Sequence, residues 1–69
     1  MIKREYFVVI KDFNTDSIRS IESRCDSIDN AKLFMAENAS LIINLNKNPI
    51  NKNKEYRFDI QEVVVIEGK

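Results

Sequence analysis

Lys47, Lys52 and Lys54 fall in an asparagine-rich stretch that holds no acid, and Arg57 follows it closely. Cations interleaved with amide donors can touch phosphate oxygens and give salt-dependent, sequence-independent contacts with nucleic acid. Lys47, Lys52, Lys54 and Arg57 are therefore the candidate anion contacts. The plainer expectation is a solvated loop kept polar for solubility. No RNA-binding aromatic motif accompanies the lysines, and Tyr56 and Phe58 belong to the apolar side of a strand. Cys25 stands between Arg24 and Asp26, just before an expected helix start. A helix N-terminus can lower a thiol pKa and make it nucleophilic. The chain has no second cysteine to resolve an intermediate and no histidine to serve as base, so Cys25 reads first as a small, half-buried hydrophobe. Asp12, Asp16, Asp26 and Asp29 sit near turns, with neither the spacing of a calcium loop nor that of an acid/base pair. Turn-forming and helix-capping roles account for them. Lack of histidine also removes the commonest transition-metal ligand. The sequence thus names no catalytic residue, metal ligand or cofactor, and the expected class is a non-enzymatic binding protein.

The elements that would position these residues belong to a small chain. Its 69 residues read as a single domain, 1–69, near the size at which one core is barely sufficient. Eleven basic side chains balance eleven acidic ones. That balance argues against a DNA mimic and against a general polyanion binder, while leaving room for a local patch. A lone cysteine, and no recognisable leader or membrane-spanning stretch, point to a reducing, cytoplasmic setting without a membrane partner. Ile, Asn and Lys are abundant, which suits an AT-rich genome and hints at a phage or another mobile element.

Glu5–Lys11 is apolar on both sides, with Tyr6, Val8 and Ile10 pointing one way and Phe7 and Val9 the other, as a central strand requires. Asp12–Ser17 has turn chemistry, and Ile18–Cys25 is the polar edge strand of a hairpin. Ser27 is a good N-cap. Ile28, Ala31, Phe34, Met35, Ala39 and Ile42 then follow helical spacing, so one helix is predicted from Ile28 to about Asn44. Residues 41–45 could instead form a short strand, but little room exists for a helix-to-strand connection. After the loop Asn46–Lys54, Tyr56–Ile66 is a strand, alternating at first and apolar on both sides at its end. The predicted fold is α+β: a ββαβ domain with a three-stranded antiparallel sheet, order 2-1-3, and one helix on one face. The run from Arg24 to Lys32, following a hairpin, resembles the strand-to-helix junction of ubiquitin-like β-grasp domains. That resemblance implies a ββαββ alternative with a fourth strand. The chain's end, Gly68-Lys69, lacks the paired glycines that ubiquitin uses for conjugation.

One helix covers one face. Tyr6, Val8, Ile10, Tyr56, Phe58, Ile60, Val64 and Ile66 are expected beneath it. Phe7, Val9, Val63 and Val65 then form an apolar set on the uncovered side. Burying a side chain of that size contributes roughly 1.5–3 kcal/mol, large beside a total stability on the order of 5 kcal/mol. Phe7, Val9, Val63 and Val65 are the candidate protein interface, for a homodimer or another protein partner. The alternative covers are Ile50, folding back from the loop, or water. The expected function is a small accessory protein, a modulator or inhibitor acting through this face. The runner-up is a nucleic-acid-associated protein using residues 46–54.

Overall fold

The computed structural model describes residues 2–66. Strand β1 spans Ile2–Asp12, β2 Ser17–Cys25 and β3 Tyr56–Ile66; between β2 and β3 lie helices α1 (Ile28–Glu37) and α2 (Ala39–Lys47) and a 3-10 turn at Pro49–Asn51. The sheet is antiparallel and ordered β2-β1-β3, with the two-sided apolar strand in its centre as expected. At the hairpin turn Asp16 adopts a left-handed φ of 58°, a region that short polar side chains tolerate. The buried Asp12 carboxylate accepts the Asn14 N–H at 2.9 Å and closes the same turn.

β1 and β3 pair over their full lengths, from Ile2↔Ile66 to Asp12↔Tyr56. β2 joins β1 only from Tyr6↔Cys25 onward. Residues Ile2–Glu5 and Val63–Ile66 therefore run past β2 as a two-stranded arm. The helices do not reach this arm. Val64 and Ile66, expected beneath a helix, are 51% and 75% exposed, and Ile2 beside them is 69% exposed.

The core sits where helix and sheet meet. Val8, Ile10, Ala31 and Tyr56 are buried, and Phe34 of α1 meets Phe58 of β3 edge-on, with ring centroids 6.3 Å apart. Ser27 caps α1 as predicted, its hydroxyl accepting the Asn30 N–H at 3.1 Å. The single helix expected from Ile28 to about Asn44 is two helices, the second ending at Lys47. Asn38 makes the break. Its backbone N–H and its side-chain amide both donate to the Phe34 carbonyl, and its φ/ψ of −118°/23° leaves the helical region. Asparagine competes with helix continuation in this way because its amide reaches nearby backbone groups. The break turns α2 onto β3, where Asn46 meets the start of that strand. Residues 41–45 are helical rather than a strand. The fourth strand of a β-grasp arrangement is not found among the described residues, and Gly68-Lys69 lies outside them.

Candidate functional site: the open face of the sheet

Register sorts the side chains between the two faces. Residues opposite one another in an antiparallel pair share a face. The face away from the helices thus holds Lys3, Glu5, Phe7, Val9 and Lys11 of β1, with Arg57, Asp59, Gln61, Val63 and Val65 of β3. On β2 it holds Ile18, Ile21 and Arg24, partners of Lys11, Val9 and Phe7. In a regular strand Ile18 and Ile21, three residues apart, would face opposite ways. Two register shifts between β1 and β2, at Val8/Val9 and Ile10/Lys11, bring both to the open side.

The four residues predicted to line this face are there, but they differ in what they offer. Val9 is 1% exposed, closed in by Ile21 and Asp59 across the strands and by Phe7 and Lys11 along its own. Phe7, Val63 and Val65 are half-buried. The Arg24 guanidinium lies 5.1 Å from the Phe7 ring centroid, a cation–π arrangement. The greatest apolar exposure on the face belongs to Ile18 and Ile21, at 52% and 55%. Sequence reasoning missed them because a bulge carries no clear signature in residue order. Ile50 does not cover the face; it is 82% exposed at the 3-10 turn.

One end of the face is sealed by charge. Lys11 Nζ lies 2.7 Å from Asp16 Oδ1 and 3.8 Å from Asp59 Oδ2, and Gln61 Nε2 donates to the same Asp59 oxygen at 2.7 Å. The hydrogen bond to Asp16 holds the Lys11 ammonium above its ordinary pKa of 10.5; desolvation opposes the rise, and the charges of Asp16 and Asp59 add to it. Arg57 is ion-paired with Glu55 and stacks 5.0 Å from the Phe13 ring centroid.

The other sequence candidates lie apart from this face. Lys47 ends α2, and Lys52 and Lys54 are exposed in the loop beyond the 3-10 turn. The asparagines around them bond to their own segment and its neighbours. Asn46 holds the Tyr56 backbone, Asn48 caps the turn through Ile50 N–H, and Asn51 donates to the Leu45 carbonyl. Cys25 lines a shallow, open hollow of about 380 Å³ with Lys3, Glu5, Arg24, Asp26 and Asn30, at the corner where β2 stops. Its sulfur lies 3.6 Å from Ser23 Oγ, and the helix start behind it is capped by Ser27. Asp26 accepts the Asn30 amide, and Asp29 stands in the first turn of α1. Among the described residues no group of three or more His, Cys, Asp or Glu side chains is placed to hold a metal ion, and no helix is long and apolar enough to cross a membrane. No family model, curated protein or solved structure matches the chain.

Proposed function

We propose that this chain is a non-enzymatic accessory protein that binds another protein on the open face of its sheet. The observation that carries the reading is the pair of exposed isoleucines on that face. Ile18 and Ile21 are brought there by bulges and left more than half exposed, on the same face as half-buried Phe7, Val63 and Val65, among which Glu5 and Gln61 are interspersed. Bulges are retained features that re-aim side chains, and here they aim isoleucines at solvent. Arg24 over Phe7 adds the aromatic and arginine pairing on which interfaces concentrate their energy. The exposed halves of Ile18 and Ile21 would each contribute on the order of 1 kcal/mol when covered. The charged cluster at Lys11, Asp16 and Asp59 would form the polar rim.

A photo-crosslinking residue at position 21, with one at exposed Leu33 on α1 as control, tests the reading. The expected result is a discrete protein adduct from position 21 that Ile18→Asp abolishes while the fold persists. Adducts no different from those at position 33, or adducts to nucleic acid instead of protein, would defeat it.

A further inference from the structure

The turn between β1 and β2 is tied to the loop before β3 at two points. Phe13 N–H donates to the Glu55 carbonyl at 2.8 Å, and the Asn14 side-chain amide donates to the Asn53 carbonyl at 2.9 Å. These bonds set Phe13 beside the lysine-bearing loop, from which it is remote in the sequence. Residues 46–54 contain no aromatic side chain of their own. The fold supplies one. The Phe13 ring is 45% exposed, with the Arg57 guanidinium 5.0 Å and the Lys11 ammonium 5.9 Å from its centroid.

Charge beside the ring is one-sided. Residues 46–57 hold four cations, Lys47, Lys52, Lys54 and Arg57, against one acid, Glu55. Lys52 and Lys54 are exposed, and among the described residues neither is in an ion pair. Arg57 does pair with Glu55, but those side chains are 60% and 45% exposed. Water screens such a pair, so a phosphate oxygen can take the place of the carboxylate. The other nearby surface carboxylates, Asp16 and Asp59, are turned to Lys11, which is left out of the site.

We propose that Phe13, Lys52, Lys54 and Arg57 bind single-stranded nucleic acid, one base stacking on the Phe13 ring and neighbouring phosphates meeting the three cations. The lysines alone would serve any polyanion. The exposed ring selects one that carries flat bases, and the guanidinium beside it can stack on the same base. A duplex keeps its bases stacked on one another, whereas an aromatic platform needs a base that is splayed out. The site lies past the charged end of the open face and uses neither Ile18 nor Ile21. It therefore goes beyond the protein-binding reading and stands or falls separately.

Fluorescence anisotropy of labelled oligothymidylate and oligouridylate, each roughly ten nucleotides long, tests it on the full chain. The tighter of the two names the sugar. The expected log–log salt slope is about −2, the value for three phosphates on a single strand. Phe13→Ala should weaken binding about tenfold and leave that slope unchanged, with circular dichroism like wild type. Lys54→Gln should make the slope shallower by about 0.7. Ile21→Asp should bind like wild type. The chain has no tryptophan, so Phe13→Trp places a single indole at the site. That variant should keep the affinity and lose emission as a base stacks on it, which separates loss of the ring from loss of the fold. No binding at about 50 mM salt overturns the proposal, as does equal affinity for a duplex of the same length. So does an affinity that Phe13→Ala leaves intact, which would reduce the site to its lysines. Binding to phosphatidylserine vesicles in preference to either oligonucleotide, lost on Ile50→Ala, would also overturn it and assign the loop to a lipid surface.

Discussion

β2 follows β1 for nine residues, steps out of register twice and stops at Cys25, whereas β3 holds one register against the same strand across eleven. Both are edge strands, and only one is bulged. Bulges, charged side chains and short length are the usual ways to keep an edge from pairing with another chain. β2 has the bulges and carries Arg19, Glu22 and Arg24; β3 carries as many charges, Arg57, Asp59 and Glu62, but no bulge. β3 ends in Val63-Val64-Val65-Ile66, and its one cap, Asn46, covers only its first residue. The bulges that defend β2 have a second effect, turning Ile18 and Ile21 to the open face. Edge protection and face exposure are thus two results of the same pair of register shifts. A straight strand with the same residues would expose its edge and hide one of those isoleucines under the helices.

The sharpest break in this comparison uses proline on adjacent residues of β3. Val63→Pro removes an N–H directed at Glu5 in the ladder, and Val64→Pro removes one directed outward. Denaturant unfolding should show a loss on the order of 3 kcal/mol for Val63→Pro and under about 1 kcal/mol for Val64→Pro. Equal losses would mean that the outer edge is not free. A second pair compares the faces. Val8, beneath the helices, and Val9, on the open side, are 0% and 1% exposed, so truncation of either to alanine should cost about 2 kcal/mol. A much smaller cost for Val9→Ala would mark the open face as loosely packed. The smallest effect belongs to the charged end of that face. Because the folded state raises the Lys11 pKa above 10.5, the stabilisation is fully present below that value and is lost as pH rises through the folded one. Asp16→Asn retains a residue that tolerates left-handed backbone but removes the charge. The variant should therefore lose slightly less stability than wild type between neutral pH and pH above about 10.5 when the two are unfolded in parallel.

The strand order, the parity of β1 and β3, the Ser27 cap and the placement of Phe7, Val9, Val63 and Val65 on one side were legible in residue order. Each follows from a local rule: period-two alternation, a hydroxyl at a helix start, or the need to bury a strand that is apolar on both sides. The division of the helix at Asn38 was also local, since an asparagine amide that reaches back to Phe34 competes with helix continuation. Its signal is weak, because most helical asparagines do not break their helix. Which of the candidate interface residues keep any surface was not local at all. Val9 is closed in by side chains from three strands, while Ile18 and Ile21 owe their position to register shifts against β1.

The sequence by itself determined the apolar and polar sides of its strands, because a side chain's direction in a strand depends only on its count along the chain. The tertiary structure alone decided which edge stays open and which apolar residues remain in solvent. Both depend on where β2 shifts and ends beside β1, and on how far two short helices reach along a longer sheet. Those are properties of pairing between distant segments, and no single segment carries them.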